Sequence, residues 1–332
     1  TGLYNTAVGG DALKTNIDGD NNTAIGFRAL KSFEADTDGH GNNVAIGANA
    51  AENISTGTSN TALGTEAMGT GATTGNENVA VGHRAGLTLT SGPRNTLIGS
   101  STGDALTTGY YNTALGYQAL SSSVSGRNAV AIGYQALMSE AATNSETYNV
   151  AVGYVAGTAV TTGVNNTLIG GLAGDALLTG SYNVALGYGA LSAADGSESK
   201  NVAIGANALA VLNNDGDAFN VAVGYSSGAL MTTGINNTLI GGLAGDAITE
   251  GNFNTAVGYT ALSSQTTSSG NTALGWGAGA NITTGGDNTA LGMYALHTED
   301  GTGKNVAVGN NALKLQNAAS DAYNVAVGHS AG

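Results

Sequence analysis

Between an asparagine and a glycine, a β-branched residue, a small residue and an aliphatic residue follow one another: Asn5-Thr6-Ala7-Val8-Gly9, then Asn22-Thr23-Ala24-Ile25-Gly26. This unit recurs nineteen times, from Gly9 to Gly328, and twelve of the eighteen spacings are 17 residues, the others 18 to 21. The extra residues fall in polar stretches such as 32–40 and 195–200. The residue before the glycine is Val, Ile or Leu in every copy, and the residue two places earlier is Thr or Val. Ala stands between them except at Leu97, Leu168 and Leu239. Asn opens every copy but one, where Ala129 replaces it. Three places after the glycine comes Ala, with Thr102 and Ser227 as variants, and the next position is usually Leu or Gly.

Repeats with a short fixed period indicate stacked architectures. Seventeen residues are too few for a strand plus a packed crossover helix. They suffice for two short strands and two turns, one coil of a solenoid. The pattern therefore predicts an all-β parallel β-solenoid of about 19 coils of ~17 residues, running as one continuous solenoid over 1–332. Stacked coils repeat at about 4.8 Å, so equivalent residues pile into columns. Asn5, Asn22, Asn43, Asn60, Asn78, Asn95 and Asn112 then form a structural amide ladder. Residues two apart share a strand face. The Thr/Val and Val/Ile/Leu columns, with Val8, Ile25 and Ile46 among them, are expected to line the interior. Ala and Asn are expected on the opposite face, in close approach to another chain or wall. The glycine ends the strand where positive φ or tight contact is needed.

A longer period overlies the first. The Leu-Ile-Gly copies end at Gly99, Gly170 and Gly241, 71 residues apart, and residues 166–176 recur identically at 237–247. Blocks of four coils have been duplicated. Both ends of the sequence lie inside a repeat, so the chain reads as a segment of a longer fibre or as a subunit stacked end to end. Exposed solenoid ends favour such association.

The unit Asn43-Val44-Ala45-Ile46-Gly47, with its counterparts at 149–153 and 201–205, resembles the head repeat of YadA-like trimeric autotransporter adhesins. Asn112-Thr113-Ala114-Leu115-Gly116-Tyr117-Gln118-Ala119-Leu120 is equally similar to repeats found beside tail-fibre domains of bacterial and phage proteins. The resemblance covers essentially the whole chain. It implies a left-handed β-roll, a homotrimer with Ala-lined strands near the three-fold axis, and a role in adhesion or host recognition. The adhesin repeat is a few residues shorter, so longer outer turns are expected here. Neither the adhesin's neck, stalk and anchor nor a tail-fibre chaperone domain is present in these residues.

Composition narrows the partners. Lys and Arg number 9 against 23 Asp and Glu, and the net charge of -14 disfavours a nucleic-acid partner. The 54 glycines do not follow the collagen period, and there is no cysteine. No apolar run is long enough to span a membrane, so no membrane insertion by this segment is expected.

Candidate chemistry is sparse. Gly224-Tyr225-Ser226-Ser227-Gly228 matches a nucleophile-elbow pattern, yet the same columns elsewhere carry Gln118-Ala119, and chance is the better reading. His40, His83, His297 and His329 lack zinc-ligand spacing. The acidic turns Asp18-Gly19-Asp20, Asp36-Thr37-Asp38-Gly39 and Asp215-Gly216-Asp217 are oxygen-rich, but no full calcium loop occurs. No catalytic residue, metal or cofactor is therefore assigned, and no enzyme is expected. Aromatic residues gather directly after the glycine, at Phe27, Tyr117, Tyr134, Tyr154, Tyr188, Tyr225, Tyr259 and Trp276. The seven from Tyr117 to Trp276 are candidate glycan-contact residues; the competing reading has them covering the turn. Three of the five glycosylation sequons, opening at Asn21, Asn165 and Asn236, are by-products of the repeat's own Asn-Thr pair; the others open at Asn53 and Asn281.

The expected function is a structural and adhesive extracellular fibre segment, a virion tail fibre or a bacterial adhesin head. It would attach to a cell-surface glycan or protein receptor. A self-assembling extracellular filament and an ice-binding solenoid are the alternatives. Thr shares its column with Val, and placing that column in the core counts against ice binding. A polysaccharide-cleaving solenoid would need a carboxylate pair in a groove, whereas the acids here sit in variable turns.

Overall fold

The computed structural model describes residues 2–35, 41–141, 145–193, 196–298, 303–316 and 321–332. Each repeat contributes one three-residue strand, from β1 (Thr6–Val8) to β19 (Val325–Val327), and no helix occurs among the described residues. The protein is an all-β parallel β-solenoid with a coil of about 17 residues. Two compact units divide it, Thr1–Asn165 with β1 to β9 (Val150–Val152) and Asn166–Gly332 with β10 (Thr167–Ile169) to β19.

Within each unit every strand pairs in parallel with the next, and like columns meet. In the first, β2 (Thr23–Ile25) faces β3 (Val44–Ile46) as Thr23↔Val44, Ala24↔Ala45 and Ile25↔Ile46. In the second, β16 (Thr272–Leu274) faces β17 (Thr289–Leu291) as Thr272↔Thr289, Ala273↔Ala290 and Leu274↔Leu291. The expected second strand of each coil does not occur among the described residues. Its place is taken by turns with three left-handed residues per coil, for example Arg28 (φ 55°), Leu30 (φ 48°) and Asn42 (φ 59°). Left-handed backbone costs a non-glycine residue roughly 1–2 kcal/mol. Here such N–H groups reach neighbouring coils, as Arg28 to Gly10 O (2.8 Å) and Leu30 to Ala50 O (3.0 Å). The repeat glycine is also required. At Gly64 (φ 135°) a Cβ would sit 2.6 Å from the Gly82 carbonyl oxygen.

The faces of the strand are the reverse of the expectation. The central Ala points inward and is buried at Ala24, Ala45, Ala62, Ala80 and their equivalents. The flanking residues point outward: Val8 is 58% exposed and Ile25 38%, and Ile46 is half-buried. The reason is width. A coil this small encloses room for Ala methyls on the strand wall and Ala, Leu and a third side chain from the opposite wall. Ala119 and Leu120 fill that wall in one coil, and Leu106 or Val160 supply the third side chain in others.

Volume also explains the longer period. Leu97 and Leu168 replace Ala in the strand, and the opposite wall of the same coil then carries Gly103 and Gly174 in place of Leu. A Cβ at Gly103 would lie 3.0 Å from Leu97 Cδ2, and one at Gly174 2.8 Å from Leu168 Cδ2. Leu239 with Gly245 repeats the exchange.

Candidate functional site

The asparagine column is interior scaffolding. Asn43 donates its backbone N–H to Asn22 Oδ1 (3.0 Å) and its Nδ2 to Gly57 O (2.9 Å), and Asn60 then donates its N–H to Asn43 Oδ1 (2.9 Å). The same bonds run through Asn78, Asn95 and Asn112 and begin at Asn5, whose Oδ1 accepts from Asn22. From Asn22 to Asn112 these side chains are buried. The ladder satisfies buried amides with further amides, so it fixes register without any outside ligand.

What the chain presents outward is, first, an apolar stripe. Each strand ends in a half-exposed aliphatic residue: Ile25, Leu63 (44%) and Leu115 (44%) in the first unit, Leu186, Ile240 and Leu274 (45%) in the second. Beside it runs the Thr/Val column, half-buried to exposed. Contiguous exposed apolar surface of this kind marks an interaction face. The core is already full without these residues.

The aromatic column stands at the next turn. Tyr117 stacks on Tyr134 (5.5 Å, 17°), which stacks on Tyr154 (5.3 Å, 13°), and Gln135 Nε2 bonds Gln118 Oε1 beside them (2.9 Å). Tyr188 and Tyr259 lie against Gly171 and Gly242, 3.4 Å from where a Cβ would be, and Tyr225 is exposed. Trp276 leans on Tyr294 at 5.3 Å. In the Tyr117–Tyr134–Tyr154 stack the inner ring faces are covered by one another. Ring edges and hydroxyls are what that stack offers a ligand.

The edge just before each Asn carries a second set of aromatic and charged residues that the sequence reading passed over. Arg94 bonds Glu77 (2.6 Å) and the Tyr111 hydroxyl (2.7 Å). Lys200 pairs with Asp217 (2.6 Å) and lies 4.9 Å over Phe219. Such exposed pairs contribute little to stability. Adjacent Tyr110 and Tyr111, with the chain's single proline, Pro93, one coil before Tyr110 in the same column, were the available signal.

The remaining sequence candidates do not converge. Ser226 sits at a left-handed turn (φ 50°), with no strand-to-helix elbow. Ser227 Oγ is spent on the Leu239 carbonyl (2.9 Å). His83, His297 and His329 belong to separate coils, and His297 packs edge-on against Tyr294 at 5.0 Å. Burial, with Lys314 adding to it, lowers the His297 pKa. Asp20 accepts the Leu3 N–H, and Asp217 is the partner of Lys200. His40 and the Asp36–Gly39 turn lie outside the described residues. Among the described residues no three His, Asp or Glu gather as metal ligands. No helix among them is long and apolar enough to cross a membrane.

Fold and surface together define a parallel β-solenoid with an amide-laddered core and an apolar outer face. No protein-family model and no curated protein matches the chain.

Proposed function

We propose that the chain is a structural and adhesive segment of an extracellular fibre, three copies of which associate side by side and present their turns to a cell-surface ligand. The supporting observation is the apolar stripe. An in-register column of Val, Ile and Leu remains half-exposed on a sheet whose own core is filled by Ala and Leu. Burying such residues contributes roughly 25 cal/mol per Å², and a column extended over many coils sums many small gains. The contact differs from the one the resemblance implies, because Val, Ile and Leu approach the axis and Ala does not. Three copies repeat each surface site three times, so weak contacts combine through avidity. Light scattering tests the assembly: the expected particle has three times the 32.4 kDa of one chain. A monodisperse 32.4 kDa species would overturn it.

One observation favours a second reading. Thr238, Thr255, Thr272 and Thr289 are consecutive in their column and face outward on a regular sheet. The argument against ice binding from a core position therefore falls. Thermal hysteresis of the purified chain separates the readings: a trimer closed over this face gives none.

A further inference from the structure

Three coils of the first unit form a cavity of about 560 Å³, lined by Ser91, Pro93, Thr108, Tyr110, Tyr111 and Arg127. It is an open surface groove whose volume falls in the range of small-ligand sites. Tyr110 and Tyr111 meet edge-to-face, with centroids 5.1 Å apart at 84°, and both line the cavity. The Arg127 guanidinium lies 4.6 Å over the Tyr110 ring. Its buried Nε has no acceptor, and although Glu146 is its bridge partner in the next coil, the two form no ion pair among the described residues. Arg94, 5.6 Å over the Tyr111 ring, is already matched by Glu77. In a chain of net charge -14, an unpaired guanidinium held by an aromatic ring beside two hydroxyl residues is a specific arrangement.

We propose that this cavity is a saccharide site selective for a pyranose bearing a carboxylate. Arg127 meets the carboxylate with its planar donor fork. Tyr110 and Tyr111 pack on the sugar ring, and Ser91 and Thr108 take its hydroxyls. Sialic acids and uronic acids share this chemistry. The proposal rests on the attachment reading and names the ligand class it requires.

The test titrates the full chain with sialyllactose, a glucuronic-acid-terminated disaccharide and lactose, followed by saturation-transfer NMR and tyrosine fluorescence. At least one acidic probe is expected to bind with a Kd of about 1 mM per site, more weakly as salt rises, and to exceed lactose about tenfold. Which acid binds identifies the source. Arg127→Ala is expected to abolish that preference and Arg127→Lys to restore part of it, with urea midpoints confirming that both variants fold. Equal binding of lactose, an unchanged preference in Arg127→Ala, or no transfer to any probe at about 10 mM overturns the site. If the wild-type trimer still attaches to cells in those cases, the attachment reading survives and its ligand lies elsewhere.

Discussion

Ala129 is where the asparagine column lapses, and Glu140 occupies the gap. Asn112 Oδ1 still accepts the Ala129 N–H (3.0 Å), but Ala129 has no amide to pass on. Asn149 Nδ2 turns instead to Glu140 Oε1 (3.4 Å), a carboxyl drawn fully into the core, and Glu140 Oε2 has no hydrogen-bond partner. Burial raises the Glu140 pKa to about 7, against the opposing pull of hydrogen bonds from Thr147 and Asn149. The folded chain thus holds this proton more tightly than the unfolded one. The resulting stability is fully present below the unfolded pKa near 4.5 and is lost as pH rises through about 7. Wild type should lose roughly 3 kcal/mol of unfolding free energy across that window relative to Glu140→Gln. Urea titrations at pH 4.5 and 8 read the difference, and parallel behaviour of the two proteins would contradict it. The column itself was legible in the sequence because it repeats. Its repair was not, because only the closed coil brings together Glu140 and Asn149, nine positions apart in the chain.

At the scale of the coil, the repeat showed which residues share a face but not which face is inside. A period of two fixes the first and is silent on the second. Strictness was the better guide. The Ala column admits only Leu, and only opposite Gly, because it lines a narrow interior; the Thr/Val and Val/Ile/Leu columns vary because they face outward. The turns were less legible still, since residues as different as Arg28, Gln118 and Leu137 adopt left-handed backbone there for bonds to neighbouring coils. The volume exchange gives a direct test. Leu97→Ala should cost about 3 kcal/mol through the cavity it leaves. Gly103→Leu should cost about 1–3 kcal/mol by overpacking against Leu97. The double variant recreates the commoner coil, whose backbone holds Leu at φ near 50°, and should recover most of both losses. Additive losses in denaturant melts would show that the two positions do not share one space.

For the whole molecule, the outward apolar stripe is the feature on which the proposed trimer rests. Leu115→Asp together with Leu274→Asp places charges on that face without touching the core. The expected result is a folded monomer that keeps its β-sheet circular dichroism, seen as a threefold fall in mass by light scattering. A trimer that survives both charges would place the contact elsewhere. Against the acidic balance of the chain, Arg127 is the one cation that lines the cavity.

Beneath all of this lies in-register stacking of equivalent residues, and cysteine pairs measure it directly because the chain has none of its own. Thr272 and Thr289 are register partners on the outer face, close enough for a disulfide, whereas Ala290 points into the core. Under mild oxidation, Thr272→Cys with Thr289→Cys should link within one chain, as read by peptide mass spectrometry, and Thr272→Cys with Ala290→Cys should not. A link in the second pair and none in the first would mean that the coils do not stack in this register.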